Sequence, residues 1–363
     1  MFYWLFYPLR EIFFGFNVFK YITFRAAMAS VTSFLICIFL GPRLIQKLTS
    51  LNIGEKIIDE KISPTLHSLQ KGKKGIPTMG GLLIIFAMLL STVLWARLDN
   101  KYIALVLFSM LWLGLVGFLD DYMKFISKRS KGMTAAMKLM AQAVLGLVVG
   151  LFVFYDPEIG SNLDIPFLKD LMINLGLFYI IFAAVVIVGS SNAVNLTDGL
   201  DGLAIGCVMM VALTYSIFSY VTGHARFSTY LQISFIPGTG ELAVFCSAIL
   251  GATLGFLWFN SHPAEMFMGD TGSLTLGGVL GIVAVLIKKE LLLLLAGGIF
   301  VAEALSVILQ VASFKLRGKR IFLVAPLHHH FQFRGLPETK VTIRFWIVAV
   351  ILSLLSLATL KLR

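Results

Sequence analysis

The chain has 363 residues, of which 58% are hydrophobic and only 13% are charged, and its formal net charge is +11. A soluble protein carries about twice that charged share, so the composition excludes a soluble globular fold and predicts a polytopic membrane protein. No basic soluble domain that would bind nucleic acid is present. The positive excess is typical of cytoplasmic loops that face anionic lipid.

The predicted elements begin with an aromatic segment, residues 1–20, which Pro8, Arg10 and Glu11 interrupt. This composition favours a helix lying at the membrane interface over a cleaved signal peptide. Apolar runs long enough to cross a bilayer follow, at about 20 residues per span. The ten runs are 22–41, 79–96, 102–119, 138–154, 175–191, 202–221, 243–259, 271–287, 291–312 and 343–360. No strand alternation is visible, and we therefore predict a single all-α membrane domain over 1–363, with about ten transmembrane helices.

Basic residues are concentrated in the loops that follow helices 1, 3 and 9. The positive-inside rule places these loops in the cytoplasm and both termini on the outer, periplasmic side. The loops after helices 5 and 7 have no basic excess and are assigned by counting helices. The predicted cytoplasmic loops are 42–78, 120–137, 192–201, 260–270 and 313–342. Each contains a polar cluster, so we expect one site assembled from five loops on the cytoplasmic face.

The motif GFLDDY (117–122) places Asp120 and Asp121 at the end of the third apolar run. Carboxylates are expensive in hydrocarbon, and ionisable residues there are usually functional. Neighbours on a helix point in different directions, so the two acids need not bind the same ion. One can orient a substrate through a metal while the other accepts a proton or pairs with a lysine. A solvated helix end paired with Lys124 is the open alternative.

The motif NAVNLTDGLDGLA (192–204) carries an amide or acid at every third position. These four residues are Asn192, Asn195, Asp198 and Asp201. Thr197 or Asp198 is expected to cap the sixth helix, whose exposed N–H groups would favour a phosphate or a sugar. A capped turn alone would explain one aspartate and one glycine, but not all four polar side chains.

Two further motifs carry candidate chemistry. In WFNSHPAEMFMGDTGS (258–273), Asp270 directly precedes the eighth apolar run, where it can be a hard oxygen ligand for Mg²⁺ or simply a helix N-cap. In APLHHHFQFRG (325–335), the three histidines are consecutive and lack zinc-site spacing. Phosphate or nucleotide contacts, with proton transfer, suit this tract better than a metal-scavenging surface segment does.

The motif KKGIPTMGG (73–81) offers Lys73, Thr78 and two glycines before the second run. The order of a phosphate-binding Walker loop is missing, so by itself this motif predicts only a basic turn.

Taken together, the motifs resemble those of the phospho-N-acetylmuramoyl-pentapeptide-transferases. The matching stretches, in order, are KKGIPTMGG, GFLDDYMK, SNAVNLTDGLDGLA, LGFLWFNSHPAEMFMGDTGSL, SFKLRGKRIF and APLHHHFQFRGLPE, with IRFW in place of VRFW. The resemblance implies ten transmembrane helices in the bacterial inner membrane, a cytoplasm-facing site, Mg²⁺ dependence and a homodimer. It also implies transfer of phospho-MurNAc-pentapeptide from UDP-MurNAc-pentapeptide to undecaprenyl phosphate, which yields lipid I and UMP.

The resemblance assigns roles to the motif residues. Asp270 is the implied metal ligand, and Asp120 and Asp121 are the implied paired acids. The candidate catalytic residues are Asp120, Asp121, Asp270, His328, His329 and His330. The candidate substrate-binding residues are Lys73, Thr78, Lys124, Lys138, Asn192, Asn195, Asp198, Asp201, Asn260 and Phe267.

Two other functions fit parts of the pattern. A related transferase would move GlcNAc-1-phosphate onto the same kind of lipid, although the PLHHHF tract and the likeness over the whole chain favour the muramoyl donor. A transporter or channel would carry its acids near the bilayer midplane. Here the acids lie at helix ends on one side, which argues against transport.

Overall fold

The computed structural model describes residues 1–51, 53–54, 73, 75–126, 132–166 and 172–361. Two of the predicted cytoplasmic loops are therefore described only in part. Residues 52, 55–72 and 74 of the loop 42–78, and residues 127–131 of the loop 120–137, lie outside the described ranges.

Ten helices correspond to the ten predicted apolar runs. They are α1 (Ile22–Ser50), α2 (Gly81–Trp95), α3 (Lys101–Ile126), α4 (Ala135–Tyr155), α5 (Phe178–Thr197), α6 (Leu203–Thr222), α7 (Leu242–Asn260), α8 (Gly269–Leu286), α9 (Gly298–Arg317) and α10 (Glu338–Ala358). Within the described ranges, nine are long and apolar enough to cross a membrane, and α2 is shorter. At 15 residues, α2 spans about 22 Å, less than the hydrocarbon core. The polytopic all-α prediction is confirmed, whereas the side on which the termini lie stays a prediction.

The predicted run 291–312 is not one helix. The structure has a seven-residue helix, Glu290–Ala296, followed by α9, and Gly297 separates them. Two adjacent glycines, Gly297 and Gly298, weaken the helix at this point because glycine loses the most backbone freedom on becoming helical. After the break, α9 packs on α5, while Glu290–Ala296 packs on α10.

The helix α8 forms the centre of the bundle. It is almost wholly buried and packs against α3 and α5. At Gly277 an added Cβ would lie 2.4 Å from the Ser190 carbonyl oxygen, and at Gly281 it would lie 2.2 Å from Ser190 Oγ. The glycines therefore let the backbones of α5 and α8 approach closely, as small residues do between membrane helices.

Short elements lie before α1, between α4 and α5, and between α9 and α10, where the helix Leu327–Phe333 carries the three histidines. An α-helical turn at Phe2–Phe6 and 3-10 turns at Tyr7–Glu11 and Phe14–Lys20 precede α1. Strands β1 (Asn162–Asp164) and β2 (Met172–Asn174) pair in an antiparallel manner between α4 and α5. These strands leave no alternation visible in the sequence, because three residues are too few to show a period-two pattern.

Candidate active site

The motif acids lie where α3 meets the start of α8. At Gly117 an added Cβ would come within 2.5 Å of the Asp270 carbonyl oxygen, and at Gly81 it would come within 2.1 Å of the Gly272 nitrogen. Only glycine permits these two approaches. The glycines of GFLDDY and KKGIPTMGG thus bring α2 and α3 against the first turn of α8 and carry the two aspartates to Asp270.

Asp121 caps α8 from the neighbouring helix. Its carboxylate accepts bonds from the backbone N–H of Asp270 (3.2 Å) and Thr271 (2.9 Å), and from the Thr271 hydroxyl (2.7 Å). A helix N-terminus has unpaired N–H donors and a partial positive charge, so a carboxylate is stabilised there. Asp121 is therefore fixed in place by α8, and the N-cap role considered for Asp270 falls to Asp121.

Two lysines bridge Asp120 and Asp270. Lys124 Nζ lies 2.6 Å from Asp120 Oδ2 and 3.1 Å from Asp270 Oδ2. Lys138 Nζ, at the start of α4, lies 3.3 Å and 2.8 Å from the same two oxygens. The other oxygen of Asp120 accepts from the Met133 backbone N–H at 2.7 Å, and that of Asp270 accepts from Asn195 Nδ2 at 3.0 Å. Three carboxylates therefore meet two ammonium groups, and one negative charge is left over.

The donor set of this acid cluster, defined as Asp120, Asp121 and Asp270, suits a hard cation. One oxygen of each residue lies within 4.8 Å of the others. Mg²⁺ takes oxygen ligands at about 2.1 Å in an octahedron, so small side-chain movements would bring these oxygens to one ion. The three residues fit the group that the resemblance implies.

A second ionic cluster surrounds Lys73. Its ammonium lies 2.6 Å from Asp201 Oδ1 and 2.5 Å from Glu338 Oε1. Asp201 Oδ2 lies 2.9 Å from His262 Nδ1, and Glu338 also accepts from the Asp201 backbone N–H. Burial alone would raise the pKa of Asp201, but the bonds from Lys73 and His262 outweigh it and hold that pKa below its ordinary value. Glu338 and Asp201 likewise raise the pKa of Lys73 against the effect of burial.

Backbone bonds join the segment 77–81 to the loop before α8. The Phe267 N–H donates to the Pro77 carbonyl at 2.8 Å, and the Gly80 N–H donates to the Phe267 carbonyl at 2.8 Å. The Phe267 ring lies 5.8 Å from Lys73 Nζ. Thr78 Oγ1 lies beside Gly269, where an added Cβ would also touch Asp121 Oδ2. Phe267 and Thr78 thus connect the Lys73 cluster to the acid cluster.

The three histidines have three different environments. His328 is only 1% exposed, Glu303 Oε1 lies 3.2 Å from its Nδ1, and its Nε2 lies against Gly199. His329 is bonded to Gln332, and burial, His328 and the charge of Lys73 lower its pKa to about 4. His330 faces the Leu323 backbone. His329 is therefore neutral at pH 7, and the charge of Lys73 contributes to keeping it so.

The remaining motif residues take several positions. Asn195 bonds Asp270 and Ser273, whereas Asn192 donates to Gln142 Oε1 (2.7 Å) and the Val188 carbonyl, one turn from the acids. Asp198 ends α5 with a partly exposed side chain.

Asn260 is a buried connector between two loops. It accepts from the Gly202 N–H at 3.1 Å and donates to the Met266 carbonyl at 2.9 Å. The expected cap of α6 was wrong, because Gly202 precedes that helix and the Thr197 hydroxyl bonds the Ala193 carbonyl instead.

Sequence reasoning missed four polar residues that support these clusters: Gln142, His262, Glu303 and Glu338. His262 lies inside a motif already singled out, and a polar residue within an apolar run is a signal for Gln142 and Glu303. Glu338 ends the matching stretch APLHHHFQFRGLPE, but its partners Lys73 and Asp201 are distant in sequence, so its role in the Lys73 cluster had no local signal.

Fold and site together define a polytopic helical membrane protein with an acid–lysine site at its helix ends. A family model described as glycosyl transferase family 4 matches residues 102–288, and a phospho-N-acetylmuramoyl-pentapeptide-transferase signature matches residues 73–85.

Full-length relatives narrow the class. Phospho-N-acetylmuramoyl-pentapeptide-transferases of Desulfotalea psychrophila and Thermodesulfovibrio yellowstonii are 53% and 52% identical, each over 100% of both chains. That of Desulforapulum autotrophicum is 52% identical over 98% of both chains. The chain therefore belongs to the phospho-N-acetylmuramoyl-pentapeptide-transferase family and is an enzyme.

Proposed function

We propose that the protein transfers phospho-MurNAc-pentapeptide from UDP to undecaprenyl phosphate and releases UMP, at the cytoplasmic face of the bacterial inner membrane. The observation that carries this proposal is the meeting of Asp120, Asp121 and Asp270 with Lys124 and Lys138 at the ends of three helices. Both substrates are anions, so a phosphate approaches a diphosphate only where cations offset their repulsion.

The reaction breaks one phosphorus–oxygen bond and forms another. An oxygen of the lipid phosphate attacks the β-phosphorus of the donor, and the bond from that phosphorus to the bridging oxygen breaks, so that UMP leaves with the oxygen. Lys124 and Lys138, which contact the acids, would bind phosphate oxygens and stabilise the negative charge that moves to the leaving UMP. A lipid phosphate is largely ionised near neutral pH, so Asp120 or Asp121 need only take its last proton or position it.

Asp270 would hold Mg²⁺, with Asp120 and Asp121 beside it. When bound there, the ion would neutralise the diphosphate and the leaving UMP. The oxygen donors within 4.8 Å of one another support this proposal. Lys124 and Lys138 would then be released in part from Asp270 toward the substrate phosphates.

The uridine end of the donor suits the Lys73 cluster. The Phe267 ring offers a face for the base, and Asp198 is partly exposed nearby on the loop after α5. Neutral His329, close to Lys73, can donate or accept a hydrogen bond without adding charge.

The deciding experiment is UMP release by the purified protein given UDP-MurNAc-pentapeptide, undecaprenyl phosphate and Mg²⁺. We expect release to require all three and to disappear with EDTA and in Asp270→Ala. UDP-GlcNAc should neither replace the donor nor compete with it. Turnover of UDP-GlcNAc by the folded protein, or ion flux into vesicles without nucleotide, would replace the proposal with one of its two alternatives.

The orientation and the assembly are parts of the same proposal. The basic residues after α1, α3 and α9 support a cytoplasmic site, and the resemblance supports a homodimer. Labelling of single cysteines in intact cells would test the first, and the mass of the detergent-solubilised particle would test the second.

A further inference from the structure

A layer of hydrogen bonds lies one helical turn from the acid cluster, on its intramembrane side. Gln142 and Ser191 are both fully buried in it. Gln142 Nε2 donates to Ser191 Oγ at 3.0 Å, and Gln142 Oε1 accepts from Asn192 Nδ2 at 2.7 Å. Ser191 Oγ donates in turn to the Leu274 carbonyl on α8 at 2.8 Å. One glutamine therefore links α4 to α5 and, through Ser191, to α8.

The residues of this layer are spaced four apart from the site residues on the same helices. Gln142 follows Lys138 by four positions on α4, and Leu274 follows Asp270 by four on α8. On α5, Ser191 precedes Asn195 by four. Residues four apart lie on one face of a helix. The three helices that the layer joins therefore also meet at Asp270, where Lys138 Nζ lies at 2.8 Å and Asn195 Nδ2 at 3.0 Å.

The fourth helix of the site is tied to the same layer. Trp112 Nε1 on α3 donates to the Ala141 carbonyl, next to Gln142, at 3.0 Å. The close approach of α5 and α8 at Gly277 and Gly278 leaves room for Ser191 to reach α8. Every helix that supplies the acid cluster or its cations is therefore hydrogen-bonded at this level.

We propose that Gln142 is a positioning residue of the transfer reaction, which sets the distances of Lys138 and Asn195 from Asp270. The inference rests on the proposed function. Hydrogen bonds between membrane helices contribute little to stability on average, so the main consequence of this layer is geometric. Small misplacements at a reacting centre, in contrast, reduce rates strongly.

The test uses Gln142→Met, which keeps the length of the side chain and removes both hydrogen-bonding atoms. We expect kcat to fall about tenfold while KM for UDP-MurNAc-pentapeptide stays within about twofold, because only the reacting groups shift. Ser216→Ala is the matched control. It removes a similar bond between α6 and α7, where Ser216 Oγ lies 3.0 Å from Ser247 Oγ, and should leave kcat unchanged.

A second readout does not depend on turnover. Hydrogen exchange should quicken at residues 192–197 and 269–275 in Gln142→Met but not in Ser216→Ala. Ser191→Ala should have the same effects in a milder form, and the double variant should be no worse than the more impaired single one, because both changes act through one chain of bonds. If Gln142→Met does not fold, Ser191→Ala decides the question.

The possible outcomes distinguish failure of the Gln142 proposal from failure of the proposed function. Unchanged exchange at 269–275 and unchanged kcat in either variant would overturn the role of Gln142, as would a loss of kcat that Ser216→Ala shares. If the wild-type protein released no UMP, the proposed function would fail, and the exchange at 269–275 would still report whether Gln142 fixes the turn that carries Asp270.

Discussion

The two ends of the bundle handle buried charge in opposite ways. At the end where α1 and α7 begin, Arg25 and Glu241 form a two-bonded pair, with both nitrogen–oxygen distances 2.6 Å. Arg25 Nη1 also donates to the Trp95 carbonyl, and the Glu241 oxygen that it contacts also accepts from the Arg97 backbone N–H. At the other end, the acid cluster has three carboxylates against Lys124 and Lys138, and both lysines remain partly exposed.

The difference separates an ion pair that stabilises the fold from ionic groups that are proposed to act in the transfer reaction. Arg25 and Glu241 balance each other in charge and are almost inaccessible, at 1% and 6% exposed. Such a pair is inert as long as it is intact. The acid cluster keeps an unbalanced negative charge, and its lysines share their partners. Under the proposed function, this cluster exchanges its partners with a cation and with phosphates, whereas the Arg25 pair stays intact.

The largest effect is expected for Asp270→Asn, which keeps the size of the side chain and removes its charge. Transfer should fall by about a thousandfold or more, since charge stabilisation at a diphosphate amounts to several kcal/mol. UMP release measures this. The control Asp99→Asn breaks another ion pair, the exposed one with Arg97, and should leave transfer unchanged. Retained transfer in Asp270→Asn would show that the charge of the acid cluster is not needed for the reaction.

The next effect concerns stability at the other end. Glu241→Gln would leave the Arg25 guanidinium buried without its counter-charge, and we expect a loss of about 3–5 kcal/mol, seen as a lower thermal midpoint. Transfer per folded molecule should not change. The double variant Arg25→Met/Glu241→Gln should recover most of the loss. A thermal midpoint that matches the wild type in Glu241→Gln would contradict the structural assignment of this pair.

The predictions from sequence agree with the structure for the features that the membrane environment determines, which are the helices. The long apolar runs were predicted to be helices because a helix satisfies its own backbone hydrogen bonds in hydrocarbon, and acids at their ends, such as Asp120, were predicted to be functional. The break at Gly297, the cap that Asp121 supplies to α8 and the bond from Glu338 to Lys73 depend on contacts between distant segments. No local pattern reports such contacts, so the motifs predicted which residues matter better than how they are held.

A smaller effect is expected for Thr271→Val, which removes the hydroxyl that donates to Asp121 Oδ2. One hydrogen bond to a charged group is worth about 1.5–3 kcal/mol, of which the remaining backbone donors should preserve part. We expect UMP release to slow by several-fold. Thr275→Val is the matched control, because its hydroxyl bonds only the Thr271 carbonyl on the same helix. Equal rates in the two variants would show that the cap does not position Asp121.

The smallest effect concerns His329 and the pH dependence of stability. Burial lowers its pKa from 6.5 to about 4, so the unfolded chain binds a proton there more readily than the folded chain does. Above pH 6.5 the neutral His329 therefore costs no stability, and the free energy of unfolding should decline as the pH falls from 6.5 toward 4.

His329→Gln should flatten that decline. By pH 5 the wild type should have lost about 1 kcal/mol through this residue, after allowance for its partial exposure, and the variant should not. Thermal midpoints at pH 8, 7, 6 and 5 measure the difference between the two proteins. The values at pH 7 and 8 serve as the internal reference, because the ring is neutral there in both states. Parallel curves down to pH 5 would mean that His329 takes up its proton as freely in the folded protein as in the unfolded one. In that case the histidine tract would carry positive charge beside Lys73 at acidic pH. The Lys73 cluster would then resemble the acid cluster, whose charges are not balanced, more than the balanced Arg25–Glu241 pair.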